Sequence, residues 1–187
     1  MVDESWFDDY FKFYRASFSG DHLNKKLLDL KNILVEVNKN KKKTIIAGNG
    51  GSAAIASHCA VDFTKNAGIR MISFNEAGLI TCLSNDYGYA DWVSKAIEMY
   101  GDEGDLVILI SSSGQSENVI NAARTAKRMG IFVVTFTGFD INNPLKKAGE
   151  LNFWIDSKAY NIIEMTHQIW LLAVCDAIIG KAEYSAS

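Results

Sequence analysis

The sequence of 187 residues is short of the usual punctuation: it has one proline, Pro144, and no low-complexity linker. Nothing marks a boundary between domains, and one domain over residues 1–187 is expected. The three cysteines, Cys59, Cys82 and Cys175, are odd in number, far apart and without CxxC spacing. They read as reduced, mostly buried thiols of a cytoplasmic protein. There is no excess of positive charge, since 19 Lys and Arg face 22 Asp and Glu for a net charge of −3. That balance gives no electrostatic reason to expect a nucleic-acid or membrane partner. The one basic run, Lys39 to Lys43, reads as a solvated loop ahead of a strand. No apolar stretch approaches the length of a membrane span. The acidic start lacks the basic-then-apolar layout of a signal peptide.

What the chain does have is a recurring alternation. Runs rich in β-branched residues occur at Thr44–Ala47, Met71–Phe74, Leu106–Ile110, Phe132–Phe136 and Leu151–Ile155. Several are apolar on both faces, as central strands of a parallel sheet must be. Helical patterns lie between and around them, at 23–37, 52–64, 91–100, 116–129 and 160–179, two of these opening on a serine suited to an N-cap. The alternation predicts an α/β fold, a three-layer doubly wound sheet of five parallel strands with flanking terminal helices. The last helix is apolar around most of its circumference, and the N-terminal segment adds Trp6, Phe7, Tyr10, Phe11, Phe13, Tyr14 and Phe18. This is more apolar surface than one sheet face needs, and it predicts a homo-oligomer.

Two loops follow strands and open helices, where open α/β sheets bind ligands. The first is Ala47-Gly-Asn-Gly-Gly-Ser52, whose glycines allow a tight turn and close approach to a ligand. Alone, that pattern fits a ligand-free turn equally well. The second is Ile110-Ser-Ser-Ser-Gly-Gln-Ser116, four hydroxyls at a helix start where the dipole favours an anion. It contains no lysine, so it is no nucleotide P-loop and no nucleotide cofactor is expected. A neutral hydroxyl cradle suits a phosphomonoester that must also be released.

Together, Gly48-Asn-Gly-Gly-Ser52 and Ser111-Ser-Ser-Gly-Gln-Ser116 resemble the sugar isomerase (SIS) domain, a family of phosphosugar isomerases and phosphosugar-binding regulators. Asn85-Asp-Tyr-Gly-Tyr89 and the segment from Glu164 to His167 narrow the resemblance to the phosphoheptose isomerase branch. The resemblance runs from about Leu23 to Ile179 and implies a flavodoxin-like fold and a tetramer packed through terminal helices. It also implies conversion of sedoheptulose 7-phosphate to a heptose 7-phosphate for lipopolysaccharide or capsule sugars. By motif, Ser111, Ser112, Ser113 and Ser116 would bind the phosphate, and Asn49, Gly50, Gly51 and Ser52 would line the sugar. Asp86 would meet a sugar hydroxyl or aid proton transfer; an Asx-type turn with Asn85 and Gly88 is its plain alternative.

Members of that branch hold zinc with a histidine and a glutamate four residues on, then a glutamine and a second histidine eight residues on. Here His58 and Asp62 occupy the first pair, Glu164 replaces the glutamine, and Leu172 stands at the second histidine. The expectation is a metal site of His58, Asp62 and Glu164, one nitrogen and two carboxylates that suit zinc or equally a more oxygen-loving ion, with Asp62, Glu164 and His167 as the proton-transfer candidates. The plain alternatives are a half-buried His58 and a core or interface His167. Loss of the second histidine keeps two other readings open. One is a non-catalytic phosphosugar-binding regulator, as in a family member that assists the bacterial replication initiator. The other is an isomerase of a different phosphosugar.

Overall fold

A computed structural model, which describes residues 2–18 and 21–184, turns the five β-branched runs into parallel strands. They are β1 (Thr44–Gly48), β2 (Met71–Ser73), β3 (Leu106–Ser111), β4 (Phe132–Thr137) and β5 (Leu151–Trp154), ordered β2-β1-β3-β4-β5. β1 and β3 are buried at every position, which is why neither alternates apolar with polar. Their register pairs Gly48 with Ile110, so the two loops leave the sheet side by side. The chain runs outward from β1 to β2 and then crosses back to β3, making this the point where the winding reverses. Open α/β sheets place their ligands in the crevice there.

Successive side chains of each strand point to opposite faces and build two cores. Ile46, Ile108, Ile110, Val134 and Phe136 pack on one face against α2 (Asp21–Lys39), α3 (Gly51–Lys65) and α8 (Tyr160–Ile179). Ile45, Ala47, Val107, Leu109 and Val133 pack on the other. That second face is covered by α4 (Ala77–Tyr87), α5 (Trp92–Tyr100), α6 (Glu117–Arg128) and α7 (Pro144–Ala148). The N-terminal aromatic segment forms α1 (Glu4–Ser17), which joins the first core through Tyr10 and Tyr14.

Two expectations change, and that of mostly buried thiols is met by two of the three cysteines. α8 does reach the length and hydropathy of a membrane span, at 20 residues and a mean hydropathy of 1.5. Ile163, Leu171 and Val174 nevertheless bury one side of it in the first core. Lys43 is not part of a solvated run: at 15% side-chain exposure its Nζ lies 2.6 Å from buried Asp105 and 2.7 Å from Asp102. It ties together the N-terminal ends of β1 and β3. The thiols divide, with Cys59 and Cys175 buried and Cys82 exposed. Burial pushes the Cys59 and Cys175 thiols up to about 12, so both stay protonated at neutral pH.

Candidate active site

The loops after β1 and β3 enclose a cavity of about 240 Å³, bordered also by the first turn of α8. Asn49, Gly50, Gly51, Ser52, Ser111, Ser112, Ser113, Ser116 and Glu164 all line it. The whole of the expected phosphate and sugar set apart from Asp86 is thereby brought to one place. A larger cavity of about 810 Å³ lies elsewhere, among Phe13, Leu23, Lys26, Phe153, Ile162 and Trp170, and holds none of the expected residues.

Two helix starts point into the smaller cavity. α3 begins at Gly51 with Gly50 as its N-cap, rather than at Ser52, and no side chain caps it. Gly50 has φ of +54°, a conformation that a side chain would strain. α6 has Ser116 as N-cap, but the hydroxyl makes no capping bond. It instead accepts a hydrogen bond from Ser111 Oγ at 3.1 Å. Both helices therefore keep free N–H groups and the positive end of a dipole for an anion. The serine loop folds on itself, with Gly114 N–H donating to Ser111 Oγ at 3.2 Å and Gln115 N–H to Ser113 Oγ at 3.2 Å. The buried Ser112 Oγ has no hydrogen-bond partner among the described residues.

Glu164 enters from α8 and rests on the start of α3. A β-carbon on Gly51 would collide with its carboxylate, so only glycine lets the two approach. Burial pushes the Glu164 carboxyl above the usual glutamate range, and the nearby Ser112 hydroxyl pulls it part of the way back. Ser112 is close enough to favour the carboxylate yet does not meet hydrogen-bond geometry, and the geometry decides that its hydroxyl is unpartnered.

His58 and Asp62 form a second cluster lower on α3. His58 lies seven residues after Gly51, which at 1.5 Å per residue is roughly 10 Å along the helix. Its Nε2 is 3.1 Å from Asp62 Oδ2, and the ring is 48% exposed. Its Nδ1 meets the Gln168 Nε2 amide at 2.6 Å. As oriented, the Gln168 amide donates to Nδ1, which leaves the proton on Nε2 to be donated to Asp62.

This division overturns the zinc expectation. Among the described residues no three His, Cys, Asp or Glu side chains gather where they could hold a metal ion. Glu164 is drawn to the start of α3, while His58 and Asp62 engage each other and Gln168. Leu172 packs against the first core and supplies no ligand.

Of the two readings of His167, proton-transfer group or core histidine, its placement is that of a core histidine. It is 0% exposed, with Nε2 3.1 Å from the Thr137 carbonyl and its ring edge-on to Phe136. Burial lowers its pKa to about 4, so it is a neutral core residue at pH 7. Asp86 sits exposed in the last turn of α4, where Asn85 Nδ2 donates to its Oδ1 at 2.9 Å. It does not line the cavity.

Four polar residues near these clusters escaped the sequence reading: Tyr160 at the cavity, Gln168 on His58, and Asn118 and Tyr89 on Asn49. Gln168 had a signal, since it follows Glu164 by four residues and so shares its helix face. The others depend on tertiary contacts.

The SIS domain family model matches residues 9–138 of the chain. The phosphoheptose isomerase of Sulfurimonas denitrificans is 33% identical over 174 residues, covering 90% of this chain and 89% of that protein. The solved phosphoheptose isomerase GmhA of Neisseria gonorrhoeae superposes with a TM-score of 0.83 at 26% identity, over 93% of this chain and 96% of that one. A phosphoheptose isomerase from Francisella tularensis superposes at 0.87 with 23% identity, over 97% and 100% of the two chains, a likeness of fold.

Proposed function

This chain belongs to the SIS domain family, in its phosphoheptose isomerase branch, and from that membership we propose that it isomerises sedoheptulose 7-phosphate to D-glycero-D-manno-heptose 7-phosphate. The observation that supports this most is the meeting of two uncapped helix starts, four serines and the Glu164 carboxyl at one cavity. The phosphate takes the hydroxyls of Ser111, Ser112, Ser113 and Ser116 and the free N–H groups of the helix starts. Asn49, Gly50, Gly51 and Ser52 border the sugar. Asp86 would reach the substrate only if another surface brought it there.

An aldose–ketose shift needs a proton taken from C1 of the ketose and returned to C2, with a second proton passing from O1 to O2. A seven-carbon chain in a zigzag of ~1.5 Å bonds reaches roughly 8 Å from its phosphate-bearing carbon to its carbonyl end. That is close to the roughly 10 Å between the start of α3 and His58, whose ring the Asp62 carboxylate meets at 3.1 Å although Asp62 itself lies roughly 16 Å along the axis. With the phosphate at the helix starts, the carbonyl end extends toward Asp62, which acts as the base that carries the carbon-bound proton. His58, held by Gln168, orients the Asp62 carboxylate. Glu164, nearer the phosphate, donates a proton to the ring oxygen as the cyclic ketose opens, while the anomeric hydroxyl releases its own proton to water and Glu164 is reprotonated from solvent. Replacing Asp62 with Asn is expected to lower turnover at least about 100-fold with little change in KM; unchanged turnover would remove Asp62 from this role.

The product would serve lipopolysaccharide or capsule heptose synthesis in the cytoplasm. The exposed Trp6, Phe7, Phe11 and Phe13 of α1, with Met165 and Ile169 of α8, support a homotetramer. A second reading, a phosphosugar-binding regulator, is supported by the burial of His167 and by Leu172 at the family's second histidine position. An isomerase of another phosphosugar is the third, and a panel of phosphorylated ketoses separates it from the first.

A further inference from the structure

The side chain of Asn49 lies within the candidate site, but both its polar atoms are already engaged. Its Nδ2 donates to Asn118 Oδ1 at 2.9 Å, and its Oδ1 accepts from Asn118 Nδ2 at 2.9 Å. The second lone pair of Asn49 Oδ1 accepts from the Tyr89 hydroxyl at 3.1 Å. Asn118 lies in the first turn of α6 and is 2% exposed, so its amide has little water to fall back on. Asn49 is in the loop that starts α3, and its carbonyl accepts from Ala53 N–H at 3.3 Å. The reciprocal amide pair is thus a direct side-chain tie between the two helix starts that face the cavity.

A third segment is held to the same place. Tyr89 belongs to the short connection between α4 and α5, and its ring is 57% exposed while its hydroxyl is anchored. One turn along α6 from Asn118, Asn121 Nδ2 donates to the Ala90 carbonyl at 3.2 Å and to Asp91 Oδ1 at 3.0 Å. Asn118 and Asn121 are three residues apart and share a helix face. That face fixes the β1–α3 loop and the α4–α5 connection together.

We infer that Asn118 and Tyr89 are positioning residues for the phosphosugar site: through Asn49 they hold the starts of α3 and α6 at the separation at which both meet one phosphate. Asn49 serves as the middle of this clasp rather than as a free amide for the sugar. The inference rests on the phosphosugar reading above. Neither residue touches the substrate, and neither lines the cavity. Their effect is on how well the two N–H clusters converge, and so on affinity for the phosphate end.

The test measures KM and kcat for sedoheptulose 7-phosphate, and its Kd by calorimetry, in wild type, Tyr89→Phe, Asn118→Ala and the double variant. Tyr89→Phe removes one hydroxyl from a residue at the surface and should leave the fold intact, so it stands even if Asn118→Ala folds poorly. The expected result is a KM and Kd raised about threefold in Tyr89→Phe and about tenfold or more in Asn118→Ala, with kcat changed far less. The double variant should lose less than the product of the two, because both act through Asn49. Wild-type KM in the variants, or a fall in kcat alone as from a smaller folded fraction, would overturn the clasp while leaving the phosphosugar reading standing. A wild-type protein that neither binds nor converts the sugar phosphate would overturn both.

Discussion

The Glu164 carboxylate rests against the backbone of Gly51, the first residue of α3, at a distance that a β-carbon on Gly51 would forbid. One glycine thereby decides whether an acid from α8 can stand at the edge of the anion site. Gly51 does not have a positive φ, so alanine suits its backbone and should stabilise the helix by up to about 1 kcal/mol. Gly51→Ala is accordingly expected to fold at least as well as wild type but to lose turnover by about 100-fold, as Glu164 is pushed out of line. Thermal denaturation beside steady-state kinetics checks both halves, and wild-type kinetics in this variant would show that the contact is incidental.

Glu164 faces a cavity that, among the described residues, no lysine or arginine lines. Its ionised carboxylate therefore repels an arriving phosphate, and its burial favours the protonated form. Glu164→Gln keeps the shape and removes both the charge and the proton. It should bind sugar phosphate more tightly than wild type while turnover falls between about 100- and 10,000-fold. Calorimetry and initial rates separate the two effects; weaker binding with full turnover would exclude the proton-donor role.

The buried His167 makes stability depend on pH in a defined direction. Its folded-state pKa of about 4 lies below the ordinary 6.5, so the unfolded chain binds the proton more readily in between. Stability from this group is complete above about pH 6.5 and is lost progressively as pH falls toward 4, by a few kcal/mol in all. Urea denaturation across that range should show the loss. His167→Gln, which does not titrate, should flatten it, and an unchanged slope would assign the acid sensitivity to other groups.

The five strands, their parallel sense and both loops were legible in local pattern: β-branched runs alternating with helices, glycines at a turn, serines at a helix start. Three helices were not. α1 gathers its aromatics on one half of its circumference, a face that reads equally as apolar surface for an oligomer; α4 carries Gly78 in its first turn, and its end resembles a turn; α7 spans five residues. At the site, motif order picked out the serines and Glu164, which line one cavity. It also placed His58 beside Asp62. It failed where facing mattered: Glu164 and His167 are three residues apart, yet one reaches the cavity and the other the core. The separation of His58 and Asp62 from Glu164, which removes the metal site, is set by two helices meeting and leaves no mark in the sequence.

The most direct test of the central claim is proton and phosphorus NMR of the purified protein with sedoheptulose 7-phosphate in deuterated water. An aldoheptose 7-phosphate should accumulate to equilibrium, with deuterium entering the carbons next to the carbonyl during turnover. Phosphorus resonances broadened by binding, with no new aldose and no deuterium at C1, would contradict that claim and make the chain a phosphosugar-binding protein.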